Sequence, residues 1–211
     1  MIWDGKGEIT IGGESFSVRL AVEADFSRPE ELERSWVLEG NAKASIGKGH
    51  LHVNSFGADT AATLWYRDEF EADVAVAFSA VTVPPHGACN FNLFLHATEL
   101  DGSDVLAHPK SGAYTEYHEI NNYIFTFTPG WSRFRRDPGF NCISENLGAQ
   151  AKRDTPYRVL IVQQAGRFRA FIDDELVHDV TDPEPHTRGR IALRTWNTAL
   201  TYDSFRVWVL R

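Results

Sequence analysis

The stretch NFNLFLH, residues 90–96, decides how this chain folds. Successive side chains of an extended strand point to opposite faces, so Phe91, Leu93 and Leu95 share one side. Asn90, Asn92, Phe94 and His96 share the other. The stretch IALRTW, residues 191–196, repeats the division, with Ile191, Leu193 and Thr195 opposed to Ala192, Arg194 and Trp196. A sheet surface turned to bulk water more typically carries Lys, Glu and Thr. Asn, His, Arg and Trp beside an apolar face fit a sheltered groove, the alternative being aromatics packed beneath a loop.

Working outward, short period-two runs rich in β-branched and aromatic residues recur at 62–67, 74–83, 123–127, 157–162, 168–172, 176–180 and 205–210. Gly, Pro, Asp and Asn separate them, as expected of strands joined by turns. Gly12–Gly13 between runs 7–11 and 15–20 signals a hairpin turn, and Asp173–Asp174 another. The only fair helix is PEELER, 29–34, with proline in the first turn and acidic residues behind it. No linker, low-complexity tract or repeat interrupts residues 1–211. The pattern predicts one all-β domain, a sandwich or jelly roll of two antiparallel sheets.

The totals exclude several functions. With 21 basic and 29 acidic residues the net charge is −8, which argues against nucleic-acid binding through an extended basic footprint. No apolar run approaches the ~20 residues needed to cross a bilayer, so no membrane partner is expected. MIWDGKGEITIGG at the start lacks a basic segment followed by an apolar one, so a cytoplasmic location is expected. Cys89 and Cys142, the two cysteines, are expected as free thiols. The eight histidines lack zinc-binding spacing, so no cofactor is required.

Function concentrates in residues 112–140, GAYTEYHEINNYIFTFTPGWSRFRRDPGF. Aromatic faces, amides, His118 and the basic trio Arg133, Arg135 and Arg136 alternate there as in a strand. Rings can cover the apolar faces of a pyranose, amides can bond its hydroxyls, and a guanidinium can grip a carboxylate through two parallel hydrogen bonds. The implied partner is an oligosaccharide with an acidic sugar. Substrate-binding candidates are Asn90, Asn92, Tyr117, Trp131, Arg133, Arg194, Trp196 and Asn197.

Cleavage of a uronate by β-elimination needs a carboxylate neutraliser, a base and an acid. Arg135 or Arg194 with Asn92 could neutralise, His118 or His96 could act as base, and Tyr117 or Tyr123 could supply the acid. Hydrolysis needs two suitably separated carboxyl groups. Glu116 and Glu119 are the obvious pair, but odd spacing puts them on opposite faces of a regular strand. Lyase chemistry therefore stands ahead of hydrolysis, and a non-catalytic, lectin-like binder is the alternative.

Four segments, 90–97, 112–129, 133–140 and 189–207, resemble the DUF1961 family, with RRDPGF at 135–140 the most specific piece. The resemblance implies a concanavalin A-like sandwich, similar in fold to lectins and glucanases, and a role in pectin or rhamnogalacturonan breakdown. The E-x-D-x-x-E strand of laminarinase-like hydrolases is missing. Sandwiches of this type often hold a structural calcium between terminal strands, for which Asp25 and Asp203 are the candidates. Oligomeric state is open between monomer and homodimer.

Overall fold

The computed structural model describes residues 7–71 and 73–211. The first six residues, on which the reading of the leader partly rests, lie outside the described ones. Among the described residues sixteen strands build two antiparallel sheets. The front sheet runs β11 (Asn141–Asn146), β10 (Ser132–Asp137), β9 (Asn121–Phe127), β8 (Phe91–Thr98), β15 (Gly189–Trp196), β6 (Ala61–Phe70) and β3 (Trp36–Gly40). The back sheet runs β1 (Glu8–Ile11), β2 (Glu14–Ala24), β16 (Thr198–Leu210), β7 (Val74–Gly87), β12 (Tyr157–Gln164), β13 (Arg167–Ile172) and β14 (Glu175–Thr181). There β5 (His50–Asn54) pairs with β16, and β4 (Lys43–Gly47) with β5. The result is the expected concanavalin A-like sandwich.

Register shows why the two faces of the front sheet differ. Directly opposed residues on paired strands share a face. Leu64, Leu193, Leu93, Phe125 and Phe134 form one such transverse row, and all five are buried in the main core against Val74, Val76, Val159 and Ile161 of the back sheet. One residue along each strand, the opposite face carries a second row: Glu39, Thr63, Arg194, Asn92, Thr126, Arg133 and Glu145. Burying the first row against the back sheet therefore fixes the polar row outward.

A third row, on the same outer face as the polar one, is apolar: Val37, Trp65, Ala192, Phe94 and Ile124, ending at Arg135. A long connection between β8 and β9 roofs it, adding Val105, Tyr117 and Ile120 to form a satellite cluster. Half of the outer face is thus covered and half left open.

Local structure departs from alternation in three places. Helix α1 spans Glu31–Ser35, starting beyond the predicted 29–34 because Pro29 and Arg28 belong to the turn that receives the first N–H groups. Tyr114–Glu119, expected as strand, form a 3-10 helix. Tyr114, Tyr117 and Ile120 recur every third residue, the period that eclipses side chains in such a helix, and all three join the satellite cluster. At His96 the backbone turns left-handed (φ 52°) and the β8–β9 register shifts between Leu95 and Thr98. That bulge swings His96 from the outer face into the space between the sheets. Both thiols are free, Cys89 buried and Cys142 exposed.

Candidate functional site

The open half of the outer face is a groove of about 850 Å³. Asn92, Thr126 and Arg194 from the polar row make its floor, and Asn90, Thr128, Trp131 and Trp196 its open side. The roof segment Ser111, Gly112, Ala113 and Tyr114 closes one flank, while Asn41, Ala58 and Asp59 close an end.

A hydrogen-bond relay crosses the floor. Arg135 Nη1 donates to Thr126 Oγ1 at 3.3 Å, and Thr126 Oγ1 donates to Asn92 Oδ1 at 2.7 Å. Asn92 Nδ2 donates to Asn90 Oδ1 at 2.5 Å, which also accepts from Trp196 N at 3.1 Å. The indole Nε1 of Trp196 donates to Ala58 O at 2.7 Å, fixing a ring that is 41% exposed. A fixed, exposed indole is a stacking platform whose ordering cost is already met.

Cations and rings alternate along the roofed flank. The Arg194 guanidinium lies 4.5 Å from the Tyr114 ring centre, and Tyr114 meets His118 edge-on at 4.3 Å. His118 lies 4.1 Å from Phe140, whose ring carries Arg135 at 4.4 Å. Arg135 is 5.1 Å and Arg133 3.9 Å from the Trp131 ring. Cation–ring contacts of this kind contribute roughly 0.5–2 kcal/mol each, more when desolvated.

Two glycines permit the roof to come so close. Gly112 has φ +94°, and a Cβ there would stand 2.5 Å from Gly40 Cα. Gly40 has φ +98°, and its own Cβ would stand 2.2 Å from Ala61 O. The contact delivers Gly112 O to Arg194 Nη2, which donates to it at 3.1 Å.

The electrostatics are unusual. Arg135 and Arg194 are each 3% exposed, and among the described residues neither forms an ion pair with a carboxylate. The other two buried arginines, Arg169 and Arg190, pair with Glu14 and Asp104. Burial pushes the Arg194 pKa down from its ordinary value. Burial first, then the charges of Arg135 and Arg194, lower His118 to about 4. Arg194 Nε, His118 Nε2 and Tyr114 OH are buried without a hydrogen-bond partner. Buried polar groups are nearly always paired, so three orphans along one wall mark a place for a ligand group or water.

Five of the sequence candidates meet here: Asn90, Asn92, Trp131, Arg194 and Trp196 line the groove. Arg135 lies just behind Thr126 and Trp131, and His118 sits in the aromatic wall. The remaining candidates do not line it. Tyr123 belongs to the main core, packs 4.2 Å from Phe168 and bonds Asp182, because it shares the face of Phe125. His96 points between the sheets toward Gln163 Oε1 at 3.2 Å, and burial lowers it to about 4. Tyr117 is sealed under the roof and donates to Glu39 Oε2 at 2.9 Å. Arg133 is tied to Glu145 at the end of the polar row. Asn197 is left-handed (φ 45°) and caps a turn by accepting from Gly57 N at 2.9 Å.

Glu116 and Glu119 border a separate open hollow outside the roof, and Glu116 Oε2 is held by Ser111 N and Oγ at 2.8 Å. Asp59 is the sole carboxylate lining the groove among the described residues. Asp25 accepts from Ser27 N at 3.0 Å, while Asp203 pairs with His50 at 2.8 Å. No group of three metal-ligating side chains is gathered among the described residues.

Sequence reasoning missed Asn41, Asp59, Ser111, Tyr114, Thr126 and Thr128. Thr126 was readable, since it shares the alternation of Asn122 and Ile124. Thr128 continues that alternation just past β9, while Asn41, Asp59, Ser111 and Tyr114 come from loops and the roof, for which a period of two carries no signal.

A family model, the domain of unknown function DUF6250, matches residues 57–205, which include every groove-lining residue except Asn41. The chain belongs to the DUF6250 family. This corrects the expected DUF1961 membership. The DUF6250 sandwich is similar to a Bacillus subtilis protein of unknown function with a galectin-like fold, at TM-score 0.80 and 20% identity, covering 91% of this chain and 97% of that one. It is also similar to the Pyrococcus furiosus endo-β-1,3-glucanase, at TM-score 0.64 and 14% identity over 97% and 98% of the two chains. The carbohydrate-binding module CBM66 of Bacillus subtilis aligns at TM-score 0.61 and 14% identity over 80% and 92%. No curated protein matches in sequence.

Proposed function

We propose that the groove binds a carboxylated oligosaccharide, a uronate-containing fragment of pectic type being the ligand class that fits. The observation carrying this is the pair of buried guanidiniums, Arg135 and Arg194, without a carboxylate partner beside a floor of amides and hydroxyls. An unpaired buried cation costs several kcal/mol in solvation, and a ligand acid supplies the missing charge. Trp196 and Trp131 offer faces for sugar rings, and Asn90, Asn92 and Thr126 offer donors and acceptors for hydroxyls. Similar folds in a carbohydrate-binding module and a glucanase support a sugar ligand.

The test is calorimetric titration with oligogalacturonides and with neutral oligosaccharides of equal length. Acidic ligands are expected to bind at least about thirtyfold more tightly. Trp196→Ala should weaken both classes by about tenfold, since stacking is blind to charge. Equal affinity of the wild type for both classes would refute the carboxylate reading.

A second reading, cleavage by β-elimination, draws on the adjoining Tyr114 and His118 next to Arg194, both with unpartnered polar atoms. If the roof lifts on binding, these groups could exchange a proton with a uronate whose carboxylate Arg194 neutralises. Growth of the ultraviolet absorbance of a conjugated double bond, abolished by His118→Ala, would favour turnover over binding alone. Hydrolysis by a carboxylate pair is the weaker route, because Asp59 lines the groove without a second carboxylate among the described residues.

A further inference from the structure

We propose that the groove reads two acid groups on different sugar units, one through Arg194 and one through Arg135. This rests on the reading of a carboxylated ligand and narrows it to oligosaccharides with at least two acidic residues.

Both guanidiniums lean toward the β3 edge of the front sheet, each by about one strand, so the spacing of their strands is kept. Arg194 leaves β15 toward β3, reaching the carbonyl of Gly112, which packs on Gly40 at the end of β3. Arg135 leaves β10 toward β9, where Nη1 meets Thr126 at 3.3 Å. From β6, the strand between β15 and β3, to β9 there are three strand intervals. At ~4.8 Å each, the charged heads stand roughly 10–14 Å apart. The rings of Tyr114, His118 and Phe140 fill the space between them along the wall, each about one ring contact from the next.

One carboxylate accepts both of its hydrogen bonds from a single guanidinium fork and cannot span that gap. A ligand with one acid would leave the second arginine buried without an ion pair, Arg135 keeping only the longer-range field of the buried Asp137 carboxyl. Each head also keeps donors to spend: Arg194 Nε has no partner, and Arg135 places one N–H on Thr126 and otherwise faces rings. Asn92 and Thr126 lie between the two positions, where hydroxyls of the intervening sugar would fall.

Three tetrasaccharide probes of equal length, carrying no, one or two uronates, would be titrated against the wild type and against Arg135→Gln, Arg194→Gln and the double variant. In the wild type each uronate should add about tenfold or more in affinity. Each single variant should lose one increment, binding the two-acid probe as the wild type binds the one-acid probe. The double variant should bind all three alike, with losses that add. Arg135→Lys and Arg194→Lys keep the charge but lose the fork, and read the same additivity should a glutamine variant fail to fold. A one-acid probe as tight as the two-acid probe, or one variant erasing the whole dependence on charge, overturns the two-acid site while leaving the carboxylate reading intact. A wild type indifferent to all three probes overturns both.

Discussion

Arg190 and Arg194 leave the same strand four residues apart and both hold the roof, yet they are finished differently. Arg190 grips Asp104 through two bonds, Nε to Oδ1 at 2.5 Å and Nη2 to Oδ2 at 2.6 Å. Asp104 in turn caps the first 3-10 turn of the roof by accepting from Leu106 N at 3.0 Å. At the other end Arg194 meets the roof through the carbonyl of Gly112 and the rings of Tyr114 and Tyr117, none of which carries a counter-charge. One arginine is neutralised inside the protein and belongs to its architecture. The other is just as buried and has no ion pair within the described residues. The polarity of a residue says little about which role it takes; the presence or absence of a counter-charge decides it.

The sharpest break of this comparison replaces each arginine by methionine. Arg194→Met should cost about a hundredfold in affinity for an oligogalacturonide. It should leave stability unchanged or raise it by up to ~1 kcal/mol, since an apolar side chain replaces an uncompensated buried charge. Arg190→Met should do the reverse, lowering stability by about 1–2 kcal/mol and sparing affinity. That loss is smaller than for a fully buried pair because Asp104 is partly exposed. Urea unfolding and calorimetry on the two variants check both halves. A large stability loss at Arg194 would make it architectural after all.

A smaller effect is expected from the glycine contact that brings the roof to Arg194. Gly112→Ala places a methyl against Gly40 at a left-handed φ. Strain of this kind costs about 1–3 kcal/mol. Lifting the roof removes the carbonyl from Arg194 and shifts Tyr114, so affinity should fall by about tenfold while the far anchor at Arg190 holds. Hydrogen exchange should then quicken around 111–118 and stay slow around 104–107. Uniform quickening would show that the two anchors are not independent.

The fold was legible because burial on one face is written at period two. NFNLFLH and IALRTW carry that period nearly intact, and Asn92, Arg194 and Trp196 follow from it. Tyr123 was misread for the opposite reason: as a polar-tipped ring it suits either face, but its register with Phe125 and Phe127 sends it to the core. His96 was lost to a bulge, which a single left-handed residue imposes without any local signature. The roof was lost because a 3-10 turn and a strand both accept TEYH. Only the triplet Tyr114, Tyr117 and Ile120 distinguishes them. The decisive electrostatic fact, that two buried arginines form no ion pair among the described residues, depends on where every acid ends up and lies beyond any local pattern.

The subtlest expected effect concerns His118, which stands in the aromatic wall between the two unpaired arginines. The elements packed around it present Arg135, Arg194, Tyr114 and Phe140, together with Asp137, whose buried carboxyl accepts from Phe140 N and is raised by burial to about 6. Its lowered pKa, about 4, comes first from burial and then from those two positive charges. A bound carboxylate offsets the charges, so the pKa of His118 rises on binding and the complex takes up proton that the free protein does not hold. Affinity must therefore grow as pH falls from 7 toward 5, within the window above the free value near 4. About threefold tightening by pH 5 is expected, corresponding to an upward shift of roughly 1.4 pKa units from the free value near 4. His118→Gln should lose the steepening toward pH 5, leaving only the change centred near pH 6 that Asp137 contributes beside Arg135. A profile unchanged by the substitution would assign the proton to Asp137 and detach His118 from the unfinished side of the comparison.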